Sequence, residues 1–527
     1  MTRIFAAPRP AVPAATRLAA LMVLVMMLAA CSGAASEGTS ASEDADDTAA
    51  TESTDDDMEE DPEPTDDAAD DADPADTADA DADPTEESAS GDAVEIRWFV
   101  GLGAGGQPEQ IAAQEAVVEA FNDSHDDIQI VLEIVENDVA YDTLSTQIAG
   151  GNVPDIIGPV GRDGSNSYAG LYLDLEPLIE STGYDISRFP AETVETFREP
   201  DGTLPGLPFA SYPSSIFFNT ELFDEAGLPY PPQSYGADGT AVYGEGTEYE
   251  GTWDFDKVAE IAAILAVDAN GNDGTSPDFD RSQTVQWGYV NQWTTLMFAQ
   301  GTHFGAGYPV ADDGSADIPE PWEQEWAWYH DGVWNAGWAP SQEQFDSELL
   351  SGNPFASGNV AMANTHLWYT CCVRDDDGNG LDFWDLAVMP SHDGTVTAKM
   401  HADTFRIMAA TEHPDEAFEV LTYLLDDSAL ELLNAYGAAP ADPGLTEAFF
   451  ADLDAVFPQG VNWQVALDSA SYTDVPSHEQ NVPGWDEYKL AMADFESAQL
   501  SDPDMDIAAA TAELEQELSG IFAANAE

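Results

Sequence analysis

The chain has 527 residues, and its 102 Asp and Glu against 13 Lys and Arg give a formal net charge of −89. So negative a protein repels phosphate backbones and anionic lipid headgroups, which argues against nucleic acid and anionic membrane surfaces as partners. An acidic chain with only three lysines is typical of proteins adapted to high salt, where cations screen the self-repulsion. The chain is longer than a usual single domain, so we expect two lobes.

The N-terminus has the features of a bacterial lipoprotein signal. Three arginines precede an apolar run at 18–30, and Cys31 follows the small residues at its end. This order predicts export and lipid attachment to Cys31. The alternatives are an ordinary signal peptide and a membrane helix, although the run is shorter than the ~20 residues that span a bilayer. We predict a signal peptide at 1–30 and an extracytoplasmic protein anchored to the cell membrane by lipidated Cys31.

The next segment has no means of forming a core. Residues 36–92 contain 25 Asp or Glu and no Lys, Arg or aromatic residue. Such a composition favours an extended, self-repelling chain. We therefore predict that 31–92 is a disordered acidic linker and that 93–527 is the folded domain.

The folded domain opens with a β-loop-α-β pattern. A strand-like run at 94–100 leads through the loop GLGAGG into a helical pattern at 109–122, and a second strand is predicted at 128–135. The glycines satisfy the GxGxxG pattern of dinucleotide-binding folds, which keeps a dinucleotide-dependent oxidoreductase as an alternative. The same glycines also let any ligand approach backbone N–H groups at a helix N-terminus. We favour a solute-binding loop, because an exported protein has no nicotinamide supply.

From residue 149 onward, a series of motifs follows in order along the chain. The series is AGGNVPDII, LYLDLEPLI, GLPF, SSIFFN, LFDEAGL, TWD, FASGNVAMA, ADTFRI and PDEAFEVLTYLL. It resembles the extracytoplasmic solute-binding proteins of carbohydrate ABC importers, the family of maltose-binding-protein-like receptors. The resemblance covers essentially all of 93–527, and the ordered series is more specific than any one motif.

The resemblance implies an α/β fold of the type II periplasmic-binding-protein-like kind. In this fold two lobes are joined by a hinge and close on a ligand in the cleft between them. By position, strands are expected to cross between the lobes near 208–215, near 388–390 and shortly before Pro476. The implied lobes are an N-lobe at about 93–210 and 391–470 and a C-lobe at about 211–390 and 471–527.

The resemblance also implies a function. It predicts a monomeric receptor, without a cofactor or catalytic activity, that binds a sugar or oligosaccharide and delivers it to ABC permease subunits. An exported glycoside hydrolase is the alternative from another class. Paired carboxylates do not decide between them in so acidic a chain, and the sequence contains neither GxSxG nor HExxH. The eight histidines show no spacing typical of metal ligands.

A sugar requires planar polar groups for its hydroxyls and aromatic rings for its CH faces. By resemblance, such groups lie in the loops after successive strands and in a C-terminal helix. Each of them has an ordinary core or surface position as its alternative. The predicted ligand-binding residues are Gly103, Gly105, Gln107, Arg162, Asp163, Asn291, Trp293, Trp368, Tyr369 and Trp485.

One acidic loop carries oxygen ligands at alternating positions, an arrangement that suits Ca²⁺. The EF-hand pattern is met only in part, because Asp273 stands at its glycine position and Phe279 at its glutamate position. The sequence leaves a calcium site and a solvated acidic loop as alternatives. The candidate ligands are Asp268, Asn270, Asn272 and Asp280.

Two cysteines beyond Cys31 are neighbours in the chain, Cys371 and Cys372. In an oxidising compartment an even pair of cysteines is normally bridged. Neighbouring cysteines bond only as a strained eight-membered ring. The sequence leaves two alternatives, a vicinal disulfide beside Trp368 and two free buried thiols.

Overall fold

A computed structural model describes residues 93–199, 202–294, 300–350, 352–373 and 381–526. The predicted signal peptide, Cys31 and the acidic linker lie outside the described residues. Across the part that is described, no helix combines the length and the apolar character needed to cross a membrane.

Two parallel strands joined by a helix open the described chain. Strand β1 (Val94–Val100) pairs with β2 (Ile128–Ile134) along its whole length, and helix α1 (Pro108–Ser124) connects them. The apolar face of α1 includes the buried side chains of Val117 and Phe121. The predicted strand, loop, helix and second strand are confirmed.

The remaining elements alternate between helices and short strands, so the predicted α/β class is confirmed. The strands are β3 (Ile156–Gly161), β4 (Gly206–Asn219), β5 (Val242–Tyr243), β6 (Gly251–Thr252), β7 (Val267–Asp268), β8 (Thr284–Gln286), β9 (Val290–Asn291), β10 (Met362–His366), β11 (Trp384–Ala387), β12 (Ser391–His392), β13 (Thr395–Val396), β14 (Met400–Ile407) and β15 (Ala439–Pro440).

The helices are mostly short, and the last four follow the final strand. They are α2 (Asn137–Gly150), α3 (Arg162–Asn166), α4 (Glu176–Thr182), α5 (Ala191–Thr196), α6 (Thr220–Ala226), α7 (Phe255–Leu265), α8 (Glu320–Asp331), α9 (Gln342–Phe345), α10 (Pro414–Leu425), α11 (Ala429–Tyr436), α12 (Thr446–Val456), α13 (Gln464–Ser469), α14 (Trp485–Ser501) and α15 (Ile507–Asn525).

Strand β4 is shared by the two halves of the main sheet, whose order is β2-β1-β3-β14-β4-β10-β9. Residues 206–213 of β4 pair with β14, whereas 214–218 pair with β10. The change of partner falls within 208–215, where a crossing strand is expected. The lobe boundaries stay predictions.

A separate apolar cluster fixes the C-terminal helices. Trp322 and Trp326 of α8 pack with Tyr488 of α14 and with Leu518 and Phe522 of α15. Each buried tryptophan removes ~150–250 Å² from water, worth about 4–6 kcal/mol at ~25 cal/mol per Å². The C-terminal helices are therefore held to α8 by hydrophobic burial rather than by sheet pairing.

Candidate functional site

Three strand ends meet beside the middle of β4. His366, the last residue of β10, pairs with Ser214. Asp403 of β14 pairs with Ala210 of β4 and with Gly161, the last residue of β3. Strands β3 and β10 therefore both end near this stretch of β4, on either side of the point where its pairing partner changes.

A pair of parallel indoles lies on the β10 side of this junction. The rings of Trp293 and Trp368 are 6.0 Å apart between centroids and inclined by only 8°. Both side chains are half-buried. The backbone of Trp293 has a φ of 55°, a strained value for a bulky residue that the surroundings must hold in place. Flat, partly exposed rings of this kind offer the surface on which the CH face of a sugar stacks.

Tyr369 supports this indole pair from within the core. Its ring meets Trp293 nearly edge-on at 5.3 Å and is fully buried. Its hydroxyl donates to Asn353 and accepts the backbone N–H of Ala356. Through these contacts Tyr369 positions Trp293, and its predicted contact with a ligand stays a prediction.

A line of imidazoles extends from Trp368 into the protein. His366 stacks on Trp368 at 5.8 Å, His401 contacts His366 at 4.4 Å, and His478 contacts His401 at 4.6 Å. His366 bonds the carbonyl of Tyr212 and the hydroxyl of Thr294. Burial lowers the pKa of His366 well below its ordinary value, so this ring is neutral at physiological pH.

Four ionisable side chains surround the inner end of this line, and we refer to His401, Asp474, His478 and Glu479 as the central cluster. His401 Nδ1 lies 2.7 Å from Glu479 Oε1, and His478 Nδ1 lies 2.8 Å from Asp474 Oδ2. Burial raises the pKa of Asp474 to about 7. Burial also raises that of Glu479, but the charge and the hydrogen bond of His401 outweigh it and lower the pKa to about 2.

Sequence reasoning missed the central cluster. His401 and Glu479 are 78 positions apart, and no local motif joins them. His478 and Glu479 are neighbours in the chain, whereas His401 is brought to them by the pairing of β14 with β4. Only the strand register reveals the group.

Asp163 and Trp485, both predicted, are brought together after β3. The indole Nε1 of Trp485 donates to the carbonyl of Asp163 at 3.0 Å. Lys489, which sequence reasoning missed, lies 2.9 Å from Asp163 Oδ1 and 5.9 Å from the ring centres of Trp485 and Tyr141. Burial raises the pKa of Asp163, and the charge of Lys489 opposes that rise. Helix α14 thus fixes α3, the short helix that follows β3.

Arg162 begins α3 and is half-buried. Its Nη1 donates to the carbonyl of Thr196, and its charge acts on Glu479 and Asp474. Arg162 is therefore electrostatically coupled to the central cluster, as a residue near the junction is expected to be.

The backbone of the glycine-rich loop is bonded to glutamine side chains of α1. The N–H of Gly105 donates to Gln110 Oε1 at 2.8 Å, and its carbonyl accepts from Gln114 Nε2 at 3.0 Å. Gly105 has a φ of +97°, and a Cβ there would lie 2.7 Å from Val100. These contacts explain the glycine by sterics and give no support to a phosphate-binding loop. Gly103 is exposed and Gln107 half-buried, so both have surface available to a ligand.

Asn291 lies in the interior instead of on the indole surface. Its Nδ2 donates to Glu325 Oε1 at 3.3 Å, and its Oδ1 accepts from the hydroxyl of Tyr289 at 2.9 Å. Burial raises the pKa of Glu325 to about 8. Asn291 therefore pairs with a neutral acid and holds β9 in place beside Trp293.

Cys371 and Cys372 are bonded to each other in the structure. The first cysteine lies in the same short turn as Trp368. A Cβ on Gly437 would lie 2.8 Å from Thr370 Oγ1 and 3.9 Å from the backbone nitrogen of Cys371. The turn that carries the stacking tryptophan therefore packs closely against the end of α11.

The candidate calcium loop is organised around the carboxylate of Asp268, whose side chain is 1% exposed. This carboxylate accepts backbone N–H groups from Asn270 at 2.8 Å, from Asn272 at 2.9 Å and from Asp280 at 2.9 Å. The side-chain amide of Asn272 donates to it as well. Because N–H donors point at the oxygens that a cation needs, the geometry accounts for the loop as a hydrogen-bonded turn.

Comparison with known proteins places the chain among solute receptors. The family model of bacterial extracellular solute-binding proteins matches residues 105–431. A curated binding protein of Brucella abortus strain 2308 is 24% identical over 314 residues, which cover 59% of this chain and 67% of that relative.

Solved structures show the same fold at low identity. An ABC substrate-binding protein of Listeria monocytogenes in complex with cycloalternan has a TM-score of 0.63 at 19% identity, covering 81% of this chain and 99% of that one. The cyclic alpha-maltosyl-1,6-maltose binding protein of Arthrobacter globiformis has 0.59 at 16%, covering 82% and 99%. The sugar-binding protein MalE of Xanthomonas citri has 0.59 at 16%, covering 82% and 98%. The predicted two-lobed type II fold is confirmed.

The buried carboxyl of Asp403 makes stability depend on pH. Burial raises its pKa to about 7 from an ordinary value near ~4. The folded chain therefore retains a proton that the unfolded chain releases between these pH values, and stability falls as pH rises through the window, by at most ~1.4 kcal/mol per pH unit. Asp403→Asn keeps an acceptor for the hydroxyl of Tyr212 and removes the titration. We expect urea unfolding to show a stability advantage for Asp403→Asn that grows from pH 4 to pH 7.

The exposed Asp312 supplies the control for this comparison. Asp312→Asn should differ from the unmodified chain by the same small amount at every pH. An Asp403→Asn advantage that does not change with pH would contradict a buried neutral carboxyl at this position.

Because the Asp268 carboxylate holds its loop by hydrogen bonds, we expect its replacement to lower stability whether or not calcium is present. Asp268→Asn replaces a carboxylate oxygen with an N–H group that faces backbone donors, so Tm should fall by roughly 2–4 °C. Chelation of Ca²⁺ should leave the Tm of the unmodified chain unchanged, and Asp278→Asn, an exposed position in the same loop, should behave like the unmodified chain. If Ca²⁺ raises Tm in the unmodified chain but not in Asp268→Asn, the loop is a calcium site instead.

Proposed function

The chain belongs to the bacterial extracellular solute-binding proteins, and from this premise we propose that it captures a sugar or oligosaccharide and delivers it to an ABC permease. The family places the protein outside the cytoplasm. The resemblance to receptors of carbohydrate importers, drawn from the ordered motifs, is confirmed by the family match and the structural neighbours.

One observation carries the choice of a sugar as the solute. Trp293 and Trp368 form a parallel, half-buried pair directly beside the neutral imidazole of His366. A pyranose has an apolar CH face and a rim of hydroxyls, and it needs an aromatic platform next to polar groups. The descriptions of two neighbours name cycloalternan and cyclic alpha-maltosyl-1,6-maltose, which supports a sugar as the solute here.

A receptor without turnover fits these residues better than a hydrolase. A retaining glycosidase needs two carboxyl groups about 5–5.5 Å apart, and an inverting one about 6.5–9.5 Å, on either side of the scissile bond. Among the described residues, the side chains that contact the indole pair include the aromatic groups of Tyr369 and His366, and His366 in turn bonds the hydroxyl of Thr294. The proposal is therefore capture and release of an unaltered solute.

We propose in addition that Cys31 carries the lipid that tethers the protein to the membrane. The signal-like sequence before Cys31 and the acidic segment after it support this reading. A tether of 31–92 leaves the receptor free to meet a permease in the same membrane.

Calorimetric titration of the full chain in high salt with mono- and oligosaccharides tests the capture of a sugar. We expect one saturable site with a micromolar Kd for at least one sugar. Trp368→Ala should weaken that binding ~10-fold or more, since ~1.4 kcal/mol of lost stacking is tenfold in Kd. Trp334→Ala is the matched control, because Trp334 is half-buried, bonds Gln499 and lies outside the indole pair.

Two results would contradict the sugar receptor. One is the absence of binding heat across the sugar panel in folded protein. The other is release of reducing sugar during the titration, which would establish a glycoside hydrolase instead.

Expression of Cys31→Ser in a bacterial host tests the anchor. The unmodified chain should partition with the membrane fraction and incorporate a fatty-acid label, whereas Cys31→Ser should be unlabelled and released from the membrane. Cys31→Ser that remains in the membrane fraction would show that another segment anchors the protein.

A further inference from the structure

A group of metal-ligating side chains lies within the central cluster. Among the described His, Cys, Asp and Glu residues, only His401, His478 and Glu479 form a group able to hold one ion, with a ligand atom of each within 4.8 Å of the others. His478 is 5% and Glu479 3% exposed. We propose that these three side chains bind a divalent transition-metal ion of the Zn²⁺ type.

Two buried atoms of the group have no hydrogen-bond partner among the described residues. They are Nε2 of His478 and Oε2 of Glu479. A buried polar atom without a partner costs free energy, and native structures leave few of them without a reason. A single bound cation would give both atoms a partner.

The surroundings of His478 match those of a metal ligand. Its Nδ1 is bonded to Asp474 Oδ2 at 2.8 Å. Asp474 is itself fixed by the backbone N–H groups of His478, at 2.7 Å, and of Met400, at 2.9 Å. Metal-binding imidazoles almost always bond a carboxylate or carbonyl through their other nitrogen, which fixes the tautomer and directs the free nitrogen at the metal. Asp474 performs this positioning for Nε2 of His478.

The ligand set selects the metal. Two imidazoles and one carboxylate are typical of Zn²⁺ and of neighbouring transition metals, whereas Ca²⁺ and Mg²⁺ prefer oxygen alone. With bonds of about 2.1 Å, a tetrahedral ion holds its ligand atoms about 3.4 Å apart, so the three need to close by about 1.4 Å at most. Three protein ligands leave a fourth position for water or another group.

Binding of the ion has a proton balance and a charge balance. His401 Nδ1 and Glu479 Oε1 share a hydrogen bond of 2.7 Å. A metal ion binds deprotonated ligands, so its binding releases the ligand protons to solvent. Arg162, Lys399 and Arg406 act electrostatically on the cluster, and the carboxylate of Glu479 opposes their charge. The ion therefore does not enter a site of uniformly positive charge.

Calorimetric titration of the metal-free full chain with ZnCl₂ tests the site. A high concentration of NaCl screens the acidic surface, so only a built site should bind at one ion per chain with a micromolar or lower Kd. CaCl₂ should give no such binding. Asp474→Asn should weaken Zn²⁺ roughly 10- to 100-fold, and His478→Ala and Glu479→Gln by at least as much.

His392→Ala is the matched control for the loss of an imidazole. His392 bonds Gln324 at 2.8 Å and is not part of the metal-ligating group, so this variant should bind Zn²⁺ like the unmodified chain. Stoichiometric binding that survives both His478→Ala and Glu479→Gln would overturn the proposal, as would a folded chain that binds no Zn²⁺.

If the variants do not fold, the absorption spectrum of the Co²⁺ complex of the unmodified chain tests the metal site. Strong visible bands of four-coordinate Co²⁺ in the unmodified chain would support the site, and a weak six-coordinate spectrum would overturn it. Sugar titration of the same sample, with and without Zn²⁺, keeps the outcome separate from that of the proposed receptor function.

Discussion

The pairing of β4 on both of its halves is the constraint on which the rest of the structure depends. At the point where β14 gives way to β10, the N–H of Ser214 donates to the carbonyl of Lys399, and its hydroxyl accepts the N–H of Lys399. The register on either side fixes His366 opposite Ser214 and His401 opposite Tyr212. A slip by one residue would turn every one of these side chains to the other face of the sheet. The irregularity between Asp403 and Thr404 adjusts that register locally, which is a common use of a bulge beside a functional site.

Several of the few cations among the described residues hold structural positions. Lys489 joins α14 to Asp163, Lys399 donates to Thr294 in the interior, and Arg406 lies 4.8 Å from the ring centre of Tyr172. Exposed ion pairs contribute little and are screened by salt, whereas buried contacts are screened much less. Carboxylates thus provide most of the charge that solvates the surface, and these three cations make contacts that salt screens only weakly.

The sequence predicts the fold far better than it predicts the site. The strand at 94–100 and the ordered motifs depend on local periodicity and turn chemistry, which a linear pattern records. Trp293 and Trp368 are predicted as ligand contacts because each follows a recognisable strand. Contacts between distant segments have no such record, which is why Lys489 and the partnership of His401 with Glu479 were missed.

Some predicted residues share a second difficulty. For Asn291, Tyr369 and Gly105, the side chain or backbone bonds the protein itself, and their contacts with a ligand stay predictions. A polar residue at a strand end can hold either a ligand or the neighbouring loop. Only the positions of Glu325, Ala356 and Gln110 decide between the two, and those positions follow from tertiary packing.

The indole surface is uncharged, so capture of a neutral ligand there should not depend on the net charge of the protein. A surface with a net charge of −89 steers cations and repels anions, but a neutral sugar feels neither effect. Stacking on Trp293 and Trp368 and bonding to uncharged groups are short-ranged, and burial keeps His366 uncharged. The proposed ligand surface should therefore keep its affinity at the salt concentrations that an acidic exterior requires. The same argument favours uncharged solutes, because a charged one would meet both the field of the surface and the salt that screens it.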